Sequence, residues 1–136
     1  MTPSRIMLFW GLGGLAIFVI LALLPWVNPG LLVHFHSFSA LILVFLTGSL
    51  WLPAVTHEDR HVPAITLAMI LFLLAWVSFY LPLWLAVLVL VPAYPVLWWQ
   101  ERRWFGRAQP LDYRNLRTLL TWTVTALHIL ALAAVI

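Results

Sequence analysis

The sequence predicts an all-α fold, an integral membrane bundle, on three observations. Of its 136 residues, 65% are apolar and only 8% are charged. Soluble domains run near 45–50% and about 25% respectively, so too few polar residues exist here to cover a water-facing surface. The apolar residues also fall in long unbroken runs, close to the roughly 20 residues a helix needs to cross hydrocarbon. Finally, no alternation of apolar and polar positions marks a lipid-facing barrel, whereas helices satisfy their own backbone groups in lipid. The same composition excludes disorder.

Five spans follow in order, and the chain 1–136 reads as a single transmembrane domain. The first, residues 6–26, ends at Pro25 and the turn residues Asn28-Pro29-Gly30. Arg5 ahead of an apolar run resembles a signal peptide, but the run is long and lacks a small-x-small site before Pro25, so it is expected to stay in the mature protein. The second span, residues 31–52, closes at Pro53. The chain is then apolar from Val62 to Trp99, about twice one helix, and Pro82 divides it into spans 63–81 and 82–99 joined by a tight hairpin. The fifth span is 116–136. Asp112 reads as its N-cap, with Pro110 outside. Residues 53–62 and 100–115 remain as polar loops.

All seven basic residues are Arg. Five spans put Arg5, Arg60, Arg102, Arg103, Arg107, Arg114 and Arg117 on one side, which predicts a cytoplasmic N-terminus, an outward C-terminus and an inner-membrane location. Trp10, Trp51, Trp98, Trp99 and Trp104 then fall near the inner interface, with Trp26 and Trp84 near the outer one. Trp76 and Trp122 are expected to pack between helices. Arg102, Arg103 and Arg107, interleaved with Trp104 and Phe105, suit anionic lipid headgroups. The pI near 10 does not indicate nucleic acid, since the few charges are spread between apolar spans. With no Cys, disulfides and Cys-based metal sites are excluded.

Two stretches resemble a known family. His36-Ser37-Phe38-Ser39-Ala40-Leu41-Ile42-Leu43-Val44-Phe45-Leu46-Thr47-Gly48-Ser49-Leu50-Trp51 is similar to the second-helix signature of a small bacterial multi-pass membrane family, the domain-of-unknown-function family thirty-four twenty-nine. Asp112-Tyr113-Arg114-Asn115-Leu116-Arg117-Thr118-Leu119-Leu120-Thr121 resembles the entry to that family's last helix. An animal mitochondrial inner-membrane protein looks related. The pattern departs at Thr47, where the family usually has a second Gly, and at Leu52-Pro53, where it has a Gly after the Trp. The resemblance implies a multi-pass membrane protein and brings no activity with it.

Two constellations could carry chemistry. His57-Glu58-Asp59-Arg60-His61 fits H-E-x-x-H, in which two imidazoles one helical turn apart hold a metal and the Glu activates water. Pro53 and Pro63 leave little helix there and no third ligand is nearby, so a solvated loop leads and a His57/His61 metal site follows. The second lies inside the membrane. Thr118, Thr121, Thr125 and His128 form a polar stripe on the last helix, and threading puts His34, His36, Ser78 and Tyr80 in the same outer half as His128. Intramembrane ionisable groups tend to face the bundle interior, where they bridge helices or hold a ligand, a metal or haem.

Pro92-Ala93-Tyr94-Pro95 should kink the fourth span and could present Tyr94 to a ligand. Gly11, Gly13 and Gly14 offer a smooth surface for a neighbouring helix. No phosphate loop, paired catalytic carboxylates or nucleophile elbow is present. The leading expectation is a small non-enzymatic binding, scaffold or accessory module for a lipophilic ligand or partner subunit. Its general design is similar to that of the translocator-protein family, without that family's motif residues. The alternative is a His-based metal or haem site in a membrane enzyme or carrier.

Overall fold

Thr2 starts the first helix. Its hydroxyl accepts from the Arg5 N–H, and Pro3 occupies the first turn, where no amide donor is needed, so α1 (Pro3–Val27) begins a turn earlier than expected. The computed structural model describes residues 2–56 and 61–136. Asn28 ends α1: its side chain accepts from the Gly30 N–H, and a single 3-10 turn, Pro29–Leu31, turns the chain into α2 (Leu32–Thr56). α2 runs through Pro53 rather than stopping at it, because near a helix end the proline costs one backbone bond only.

α3 (Val62–Ser78) stops three residues short of the expected span. Phe79, Tyr80 and Leu81 donate in turn to Trp76, Val77 and Ser78 carbonyls, forming the hairpin ahead of Pro82. The fourth rod is broken as its prolines predict. α4 (Leu83–Leu90) and α5 (Ala93–Phe105) meet at Val91-Pro92, where the Val91 N–H takes the Leu88 carbonyl that Pro92 cannot serve. After a 3-10 turn, Gly106–Ala108, α6 runs over Leu111–Ala133. The stretch read as a loop over 100–115 is therefore mostly helix. Pro110, not Asp112, holds the cap position of α6. Asp112 lies in the first turn, where the helix dipole favours its charge, and accepts from Ser4 Oγ at 2.6 Å and the Tyr113 N–H at 2.8 Å.

α1 and α6 run parallel. Ser4–Asp112 joins their first turns, and Trp26 Nε1 donates to the Leu130 carbonyl at 3.2 Å near their far ends. A Cβ on Gly11 would stand 3.0 Å from Leu116 Cδ2, so this glycine sets how closely the pair approaches. Phe18 fills the centre, edge-on to Phe35 and Phe38 of α2. Among the described residues, all Arg lie in the first two turns of α1 and α6, in the last turn of α5 or in the turn Gly106–Ala108, toward one end of the bundle. Arg60 is outside the described residues.

The bundle is inverted relative to a soluble protein. Its exterior carries Trp10, Phe45, Phe72, Leu41 and Ile129, whereas eight polar or charged side chains are buried among the described residues. Among the described residues, four stretches are long and apolar enough to cross a membrane: Pro3–Val27, Pro29–Thr56, Leu83–Ala108 and Leu111–Ala133. α3 is apolar but has 17 residues. The chain is thus all-helical and built to be embedded in a membrane. Trp76 and Trp122, expected between helices, are about half exposed instead. They sit away from the buried faces of α3 and α6, where lipid receives a ring at no cost; Trp122 meets Trp98 edge-on and Trp76 meets Tyr80.

Candidate functional site

α2, α5 and α6 bring Ser39, Tyr94 and His128 together in the bundle interior. His128 Nδ1 stands 2.7 Å from the Val124 carbonyl, which can only accept, so Nδ1 carries the proton. Nε2 is then the acceptor for Ser39 O–H at 2.6 Å. Tyr94 O–H donates to the Ser39 carbonyl at 2.6 Å and its oxygen lies 3.2 Å from Ser39 Oγ. One helical turn along α2, His36 Nε2 meets Ser78 Oγ at 2.8 Å. Ser78 spends its own proton on the Ala75 carbonyl, so His36 is the donor there.

Of the candidate ligand-binding residues, His36, Ser78, Tyr94, Thr121 and His128 are buried inside. His34 and Tyr80 are not among them: both are exposed, Tyr80 at 74%. His34 precedes His36 by two residues, about 200° around the helix, so the two cannot share a face. Thr118 and Thr125 are half-buried, and each donates to the carbonyl four residues earlier. The buried stripe of α6 is Arg117, Thr121, Val124 and His128.

A serine hydrogen-bonded to a carbonyl-oriented histidine has the layout of a nucleophile and its base. Here both side chains are fully buried, and the amides around Ser39 are engaged within α2, which leaves no donors for an oxyanion. This pairing closes a helix junction.

Sequence reasoning missed a second polar cluster, nearer the arginine end. Glu101, read as a loop residue, and Arg117, read at the start of the fifth span, are buried at 1% and 4% exposure. Arg117 Nε donates to Glu101 Oε2 at 3.0 Å, and Nη2 lies 2.9 Å from the same oxygen. Tyr113 O–H and Gln109 Nε2 donate to Glu101 Oε1 at 3.0 and 3.1 Å, and Arg117 Nη1 donates to Thr121 Oγ1 at 3.3 Å. A buried ion pair survives only when further hydrogen bonds offset its desolvation, and both carboxylate oxygens are supplied with them. A signal was present: Tyr94, Leu97, Glu101 and Phe105 recur at helical spacing, as do Arg117, Thr121, Val124 and His128.

Beside this cluster lies a groove of about 600 Å³ between α1, α2 and α6. Trp10, Leu15, Phe18 and Phe45 are among its apolar walls, and Tyr94, Arg117 and Thr121 contribute its polar floor. Gly14 and Gly48 also line it, and a Cβ on either would meet open space. Of the three α1 glycines expected to support close approach, only Gly11 does; Gly13 and Gly14 face no neighbouring atoms. Their partner helix is offset toward Leu116.

Of the H-E-x-x-H pattern, His57, Glu58, Asp59 and Arg60 lie outside the described residues. His61 is the N-cap of α3 rather than a helical residue; its Nδ1 accepts from the Ala64 N–H at 3.2 Å and its ring packs on Trp104 and Phe105. Among the described residues, no three His, Asp or Glu side chains are grouped to hold a metal ion. Arg102, Arg103 and Arg107 are exposed, and Arg102 lies 5.5 Å over the Trp98 ring.

Comparison with known proteins adds a family and nothing beyond it. The family described as "Protein of unknown function (DUF3429)" matches residues 3–133. No curated protein and no solved structure matches the chain.

Proposed function

Since the chain belongs to the DUF3429 family, whose description states no activity, we propose its function from the groove: a small non-enzymatic membrane module that binds a lipophilic ligand entering sideways from the bilayer. The observation that carries this is the groove of about 600 Å³ walled by apolar side chains, with Tyr94, Arg117 and Thr121 on its floor. Ligand sites fall in the range of about 300–1,000 Å³ and combine apolar walls with a few placed polar groups. Glycine at 14 and 48 keeps the volume open, although glycine weakens a helix by about 1 kcal/mol relative to alanine. The test is extraction of the purified protein with organic solvent and mass spectrometry of the extract. About one equivalent of a lipophile is expected from the wild type and none from Gly14→Leu/Gly48→Leu, whose Cβ atoms would meet open space at the groove wall. Equal recovery from both, or none from either, contradicts the proposal.

The module is placed in the cytoplasmic membrane with five crossings, its N-terminus inside. The parallel run of α1 and α6 supports an odd number of crossings, and the arginines collected at one end support that end as the inner one. A reporter near Gly106 is expected inside and one after Ile136 outside; both on one side would contradict this threading. A partner subunit could share the groove, and anionic headgroups suit the exposed Arg102, Arg103 and Arg107.

A further inference from the structure

The groove occupies one end of the bundle and not the other. Its wall runs from Met7 to Phe18 along α1 and from Tyr113 to Val124 along α6, about 16 Å in each case at 1.5 Å per residue. That is close to one leaflet, half of the roughly 30 Å of hydrocarbon in a bilayer. The deep end is shut. Phe18 is 2% exposed and stands edge-on to Phe35 at 5.7 Å and Phe38 at 4.9 Å. Beyond it, Ala22 and Leu32 are buried where α1 meets the start of α2. The shallow end lies toward the arginines and is open at the side, where Trp10 and Phe45 are 71% and 77% exposed. A polar head is costly at the apolar deep end, so an amphiphile fits in one direction, its methyl end at Phe18 and its head beyond Met7 and Tyr113.

Charge at that end specifies the head. Among the described residues, six arginines stand there with two carboxylates, Glu101 and Asp112. Glu101 is spent on Arg117 at 2.9 Å, leaving five arginines against Asp112 alone. The opposite end, around Asn28-Pro29-Gly30, Tyr80-Leu81-Pro82 and the last four residues, carries no charged side chain. Arginines at a membrane surface attract anionic headgroups, so this end favours a head with net negative charge over a zwitterionic one.

Resting on the groove proposal above, we infer that the ligand is an anionic phospholipid of the arginine-side leaflet, with one acyl chain in the groove and its phosphate at the arginine end. The open side between Trp10 and Phe45 leaves the second chain in the bilayer. The test uses two photoactive phosphatidylglycerols that differ only in the place of the diazirine, near the chain end or next to the glycerol. They are activated on delipidated full-length protein in detergent micelles, where both orientations are open. The chain-end probe is expected to mark Phe18 or Val124, and the glycerol-end probe Met7, Trp10 or Tyr113. Both labels should be lost in Gly14→Leu/Gly48→Leu. A chain-matched phosphatidylcholine should label the groove less by about fivefold or more, the attraction of a single arginine for an anionic head. Reversed positions, the same residues marked by both probes, or equal labelling by phosphatidylcholine overturns the inference and leaves the groove proposal standing. Groove residues left unmarked by every probe, or marked equally in the glycine variant, overturn both.

Discussion

Two polar clusters share one face of α6, about 16 Å apart along the helix, and they differ in charge and in what borders them. In the His128 cluster the imidazole has an acceptor for its one proton and a donor for its lone pair, and all of its members are buried and neutral by construction. In the Arg117 cluster a formal ion pair is buried beside an open groove. The first arrangement is what three helices need to stay together in a solvent that offers no hydrogen bonds. The second sets a neutralised ion pair at the edge of a cavity. A buried polar network away from any cavity reads as structure, whereas one that borders a cavity reads as a site.

The sharpest way to break this comparison is to remove one charge. Arg117→Ala strands the Glu101 carboxylate and is expected to destabilise by about 3–5 kcal/mol, measured as the unfolding free energy in mixed detergent. Glu101→Leu/Arg117→Leu removes both charges, and it should recover most of that loss while still losing ligand. If the double variant is as unstable as the single one, the pair is needed for folding and the site reading weakens. Ser39→Ala should cost less, about 1–2 kcal/mol, because it unpairs one neutral buried acceptor on His128. It is expected to leave ligand recovery unchanged, and a loss of ligand there would erase the distinction between the clusters. The smallest effect belongs to the exposed arginines. Arg102→Gln/Arg103→Gln/Arg107→Gln should reduce retention of anionic lipid by about 1 kcal/mol per residue, with no change in stability. An unfolding shift in that variant would mean these side chains support the bundle.

Where helices begin, break and turn was legible at several of the prolines, though not at Pro53, which α2 runs through, nor in the polar stretch after Trp99, which is mostly helix. Asn28-Pro29-Gly30, Pro82 and Pro92 all act where their chemistry says they must. Rotation was less so. His34 and His36 are equally histidine, and only the packing of α2 decides that one faces Ser78 and the other faces outward. The Glu101–Arg117 pair was hidden by composition. Polar residues at the end of an apolar run look like a loop, yet a helix continues through them when one face keeps its period. Glycines 13, 14 and 48 were ambiguous for a different reason: a missing side chain makes either a close contact or a void, and the opposing helix chooses.

Photolabelling reports most directly on the central claim, that the groove between α1, α2 and α6 holds a lipophile in this membrane-embedded bundle. A diazirine placed near the chain end of methyl palmitate, activated on the wild-type protein and mapped by peptide sequencing, is predicted to mark Leu15, Phe18 or Leu120. The label should be lost in Gly14→Leu/Gly48→Leu. Labelling confined to the outer faces, at residues such as Phe72 and Ile129, and unchanged in that variant, would contradict the account.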